Sequence, residues 1–248
     1  MAKEKKDRNK SKKKNQKKNP KITPIDSLPS RESIENILSL DDIGMSELSN
    51  VDKAQEVIYD AWEGKTKRTR VTLAKKALKI SPDCADAYNL LAEETANSLE
   101  ESIEFYREGV KAGERALGEK IFNEGEGIFW GLLETRPYMR ARAGLAECLW
   151  EDEKFEEAIE HYWDMLRLNP SDNQGLRFIL MPHLIELNYD DKAEKLYKQY
   201  KDDASAFWKY SKALLDFRRY GDSQRAEKSL KSAYKSNEYV PDYLLGFK

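Results

Sequence analysis

From residue 51 onward apolar residues recur at intervals of three and four, and the pattern hardly pauses before residue 237. Ala54, Val57, Ile58, Ala61 and Trp62 make the first stripe, and Val71, Ala74, Ala77 and Leu78 the next. The rhythm returns as Leu145, Ala146, Leu149, then as Ala158, Tyr162, Met165, Leu166, then as Leu176, Ile179, Leu180, Leu184. It closes with Ala193, Leu196, Tyr197, then Phe207, Tyr210, Leu214, then Ala226, Leu230, Ala233. A chain that turns every 3.6 residues gathers such positions on one helix face. A strand needs alternation every second residue, which no stretch sustains. Gly64, Ser81-Pro82 and Pro170 mark breaks between stripes, and short breaks make neighbouring helices antiparallel. The chain is therefore expected to be all-α, an α-solenoid of stacked antiparallel helix hairpins. At least nine helices should lie between residues 51 and 237, with no sheet and with Asn50 as the first N-cap.

The hairpins share a register. In a 34-residue unit that starts at Met139, the ordered set Leu145, Ala146, Leu149, Ala158, Tyr162, Met165, Pro170 resembles the tetratricopeptide repeat. Small residues at Ala146 and Ala158 let the two helices cross closely, and Pro170 lacks the N–H to continue a helix. Pro82 sets a second register, with Ala54, Val57, Ile58, Ala61, Ala74 and Ala77 before it and Tyr88, Leu91 and Ala92 after it. The interval from Pro82 to Pro170 exceeds two units by about twenty residues. The excess is expected as an insertion at 113–136, with Gly125-Glu126-Gly127 as its hinge.

Two longer strings, CADAYNLLAEETANSLEESIEFYREGVKAG at 84–113 and YVPDYLLG at 239–246, resemble the suppressor-of-tumorigenicity-seven family, whose helices are tetratricopeptide-like. The likeness is good over roughly residues 70–118 and the last eleven residues. It implies a helical-repeat protein without known catalysis. Animal members carry a membrane-spanning segment and a long C-terminal extension, so the resemblance implies a short, soluble relative.

Charge divides the chain. Residues 1–21 hold ten Lys and Arg8 against Glu4 and Asp7, a net +9, whereas the remainder sums to −11. Residues 1–30 have almost no apolar side chains and are expected to form a disordered basic arm. Residues 31–50 read as a linker with a short helix bearing Ile34, Ile37 and Leu38, and residues 51–248 as the repeat domain. With 35% charged residues and a mean hydropathy of −0.82, no run of apolar residues approaches membrane-spanning length, so no stable membrane insertion is expected. No signal-peptide core follows the basic start. Two cysteines, Cys84 and Cys148, make no disulfide framework, which points to the cytoplasm.

No constellation carries catalysis. Gly64-Lys65-Thr66 lacks the upstream glycine and strand of a phosphate loop. His161 and His183 have no partner at ligand spacing, so neither a metal nor a cofactor is expected. His161 reads as a surface pair with Glu157. Adjacent carboxylates such as Glu93-Glu94 diverge by about 100° around a helix and cannot clasp one bond. In a tetratricopeptide array the first helix of each unit lines a concave groove through unit positions 2, 5, 9 and 12. Those positions give Asn89 and Glu93, then Arg140, Glu147 and Trp150, then Gln174, Arg177 and Met181, and last Trp208 and Lys212. A mix of Arg, Glu, Met and Trp suits a protein or peptide partner, so the expected function is a non-enzymatic interaction scaffold. The alternative is a nucleic-acid- or ribosome-associated protein that uses the basic arm for phosphate contacts. Arg140→Ala and Arg177→Ala are expected to leave the fold intact, as solvated side chains.

Overall fold

The computed structural model describes residues 48–248; the expected arm, and the linker with its short helix up to residue 47, lie outside the described residues. The described residues form a tetratricopeptide-like α-solenoid with no strand among them. Five antiparallel hairpins follow one another: α1 (Asn50–Trp62) with α2 (Lys67–Ile80), α3 (Ala85–Thr95) with α4 (Leu99–Glu124), and α5 (Arg136–Glu151) with α6 (Phe155–Leu168). Then come α7 (Leu176–Glu186) with α8 (Asp190–Gln199), α9 (Ala206–Tyr220) with α10 (Gln224–Ser236), and the short α11 (Val240–Leu244). No helix among them is long and apolar enough to cross a membrane.

Local chemistry sets the ends. Ser49, not Asn50, caps α1: its hydroxyl accepts from the Asp52 N–H at 3.1 Å, and the Asp52 carboxylate accepts from the Ser49 N–H. This reciprocal box satisfies two otherwise orphaned donors. The Thr66 hydroxyl caps α2 by accepting from the Thr69 N–H at 3.1 Å, so the Gly64-Lys65-Thr66 turn is a helix start and not a phosphate loop. Ser98, Ser205 and Ser223 cap α4, α9 and α10.

The best-matched unit packs as its register requires. Leu145, Ala146 and Leu149 of α5 and Ala158, Tyr162 and Met165 of α6 are all buried. Gly144 sits where the Tyr106 ring of α4 lies against α5, and a Cβ there would fall 2.3 Å from a ring carbon. The residues at 113–136 are placed in three parts. Residues up to Glu124 belong to α4, which breaks at Gly118 with φ of 65°. Two 3-10 turns, Phe129–Gly131 and Leu133–Thr135, follow, and Arg136 opens α5. The expected glycine hinge is instead a tied turn: Gly125 caps α4, and the Gly127 N–H donates to the Leu168 carbonyl at 2.9 Å. Phe129 is buried against Phe122 and Tyr138, with ring centroids 5.2 and 6.0 Å away.

Candidate binding surfaces

The first helices α1, α3, α5, α7 and α9 carry the positions expected to line a groove. On α3, Asp86 is the organising residue and it is fully buried. It lies at unit position 2, as does Arg140 in the next unit, so the array sets the two side by side across 54 residues of sequence. The Arg140 guanidinium grips both Asp86 oxygens, with Nε donating to Oδ1 at 2.8 Å. Gln55 donates to the same carboxylate at 2.9 Å and the Asn89 amide at 3.0 Å. Asn89 also donates to the Pro137 carbonyl and is itself buried. The outer side of the guanidinium covers the Trp62 ring at 5.3 Å.

Two more buried carboxylates repeat the device. Asp172 accepts from the Leu176 and Arg177 N–H groups and from the Arg177 guanidinium at 2.7 Å, and Arg177 also reaches Asp203 at 3.0 Å. Asp216 accepts from Lys212 at 2.8 Å and from Ser229 at 2.6 Å, and Lys212 bridges on to Glu194 at 3.0 Å. Burial alone would raise the Asp216 carboxyl, but the hydrogen bonds from Lys212 and Ser229 bring it below the usual range. Asn89, Arg140, Arg177 and Lys212 are thus largely engaged within the fold. The expectation that Arg140 and Arg177 are merely solvated is corrected, since both are ion-paired within the fold.

Register explains the other departures. Met181 and Trp208 have no exposed surface at all. In α7 the buried face is Leu176, Leu180, Met181 and Leu184, so three of the four expected core positions are buried and Met181 takes the place of Ile179, which is exposed. The connection from Leu168 to Leu176 is longer than that from Ile80 to Ala85, and the helix is turned by part of the roughly 100° that one residue spans. Gln174 therefore falls before α7, half-buried, and Phe178, Pro182 and Ile185 take the outward positions. In α9 Trp208, Ser211 and Leu215 are buried, whereas Phe207, Leu214 and Phe217 of the other apolar stripe are exposed. The stripe expected to form the core is the one that faces out. Of the ten expected groove residues, Glu93 and Glu147 are exposed and Trp150 is half-buried. Trp150 stacks on His183 at 3.4 Å between ring centroids.

The two histidines are held neutral. Burial pushes His183 down to about 4. Burial and the adjacent Arg142 do the same to His161, whose Nδ1 accepts from Arg142 Nε at 3.0 Å. The expected His161–Glu157 surface pair is not formed; Glu157 pairs with Arg107 at 2.6 Å instead.

The outward turns of α7 and α9 produce a feature the sequence reading did not name. Pro182 and Ile185 of α7, Phe207, Leu214 and Phe217 of α9 and Leu230 of α10 line a groove of about 1070 Å3, with Val240 and Leu244 of α11 along its edge. Its walls are almost wholly apolar. Glu186, Asp222 and Glu227 are the charged residues in the lining, and no Lys or Arg is among them.

A stack of antiparallel helix pairs with buried small-residue crossings and an open apolar groove defines a tetratricopeptide-like helical-repeat protein. The chain belongs to the family described as ST7 protein, whose sequence profile matches residues 41–241. It is similar to the Protein ST7 homolog of Caenorhabditis elegans, 27% identical over 231 residues that cover 77% of this chain and 42% of the worm protein. It is also similar to the Suppressor of tumorigenicity 7 protein-like of Homo sapiens, 26% identical over 214 residues, 77% of this chain and 37% of that protein. The chain thus spans about two fifths of the length of these relatives. Among solved structures it is similar to YrrB, described as a TPR protein with an unusual peptide-binding site. The TM-score is 0.53 at 15% identity, over 85% of this chain and 95% of that one, which shows the shared fold.

Proposed function

We propose that the protein is a non-enzymatic interaction scaffold that holds a helix or peptide of a partner protein in the groove between α7, α9 and α10. The groove itself carries this reading. It is an open trough, and it exposes aromatic and aliphatic side chains in one patch. Phe207, Tyr210, Leu214 and Phe217 follow one face of α9 for three turns, about 15 Å at 1.5 Å per residue, which matches the anchors of a docked amphipathic helix. The peptide-binding site in the description of YrrB supports a protein ligand for this fold. Glu93, Glu147 and Trp150, at equivalent groove positions of successive first helices, form a second stretch that is proposed to bear the flanking residues of the same partner. The cytoplasm is the proposed location.

The second reading rests on the +9 charge of residues 1–21, which would bind phosphate backbones without base readout. One experiment separates the two. A photoreactive amino acid placed at Leu214, or at Glu147, in the full-length protein is irradiated in its own cells, with and without nuclease. The groove reading predicts a discrete protein adduct from Leu214 that survives nuclease. Adducts from Glu147 alone, or adducts lost with nuclease, contradict it.

A further inference from the structure

We infer that the occupant of this groove is a cationic amphipathic helix, with apolar side chains on one face and Lys or Arg along its flanks. The inference rests on the groove being a helix site and adds the charge of the partner. Three carboxylates, Glu186, Asp222 and Glu227, stand in the lining, which includes no Lys or Arg; Arg218, bonded to the Ile185 carbonyl at 2.9 Å, is turned to Asp190 at 3.0 Å. Glu227 is already paired with Lys231 at 2.5 Å. Glu186 and Asp222 have no ion pair among the described residues, and both are exposed. They sit on different elements, the end of α7 and the turn between α9 and α10. A helix lying in the groove would therefore meet negative charge from two elements, and basic flanks would neutralise it while acidic flanks would be repelled.

The same charges decide against two other occupants. The Ile34, Ile37 and Leu38 stretch of this chain is bracketed by Glu32, Glu35, Asp41 and Asp42 against Arg31 alone, so it would bring like charge to the rim. A second copy docked groove to groove would bring a second set of the same carboxylates to the interface and no cation from its lining. A basic helix of another protein meets neither objection.

Two synthetic helical peptides test the assignment. Both are about 18 residues, five turns, with the same leucine face; one carries Lys on its flanks and the other Glu. Each is titrated by fluorescence anisotropy against the full-length protein and against the Glu186→Lys/Asp222→Lys double variant. The expected result is at least tenfold tighter binding of the Lys peptide by the parent, with the preference reversed in the double variant. Equal affinity for both peptides, or a Lys preference that survives the charge reversal, overturns the inference and leaves the groove as a helix site. Failure of both peptides to bind, or binding that Leu214→Asp does not weaken, overturns the groove reading itself. Phe217→Ser replaces Leu214→Asp if the latter lowers the melting temperature.

Discussion

At the scale of single residues, three buried aspartates account for much of the polar chemistry of the first helices. A carboxylate with no exposed surface is tolerable only if donors surround it. Asp86 has three donors, from α1, α3 and α5, so the pairing fixes how these helices lie against one another. Arg140→Ala leaves Gln55 and Asn89 in place but removes the only charge partner of Asp86 among the described residues. We predict a loss of about 1–3 kcal/mol, below what breaking a fully buried pair costs, because the Arg140 side chain is 35% exposed. A double-mutant cycle with Asp86→Ala checks it by urea denaturation: the two losses should be non-additive by about 1 kcal/mol or more. Additive losses would mean that the pair does not couple the helices. The sequence offered a clue, because the register that assigns Asn89 and Glu93 to positions 5 and 9 also puts Asp86 at position 2. What it could not show was that Asp86 and Arg140, at equivalent positions, would be turned toward each other rather than toward a partner.

At the scale of elements, periodicity made the helices legible and loop length hid their rotation. The apolar stripes of α5 and α6 have one reading, and both expected faces are buried. α9 has two apolar stripes offset by one residue, Phe207/Tyr210/Leu214 and Trp208/Ser211/Leu215, and nothing local says which will be buried. Neighbouring packing decides: Trp208 enters a cluster with Tyr197, Tyr200 and Phe178, with ring centroids 6.0 to 6.2 Å away. Helix contacts also set the price of small residues. Gly144 lies in the middle of α5, where alanine would ordinarily favour the helix by about 1 kcal/mol. Here the Tyr106 ring occupies the space of the missing methyl. We predict that Gly144→Ala destabilises by about 1–3 kcal/mol through overpacking. Thermal melts should show Tyr106→Leu recovering part of the loss in the double variant. A stabilised Gly144→Ala protein would mean that α4 and α5 are farther apart than described.

At the scale of the whole molecule, the first helices differ along the array. From α1 to α5 the outward positions are polar or aromatic, and their arginine is turned inward to a buried carboxylate. From α7 onward a partial turn of α7 and a second apolar stripe on α9 leave phenylalanine and leucine outward, and the groove opens where they meet. The binding energy of an interface concentrates in a few apolar or aromatic anchors set in a pocket, with the surrounding polar residues close to neutral. The groove should therefore carry affinity, and the polar stretch should not. The direct measurement is calorimetric titration of the partner captured at Leu214 against the parent, Leu214→Asp and Glu93→Ala/Glu147→Ala, each confirmed folded by its melting curve. The account predicts at least tenfold weaker binding for Leu214→Asp, about 1.4 kcal/mol or more, with the double alanine variant unchanged. Parent-like affinity in Leu214→Asp, with the loss falling on Glu93→Ala/Glu147→Ala instead, would contradict it.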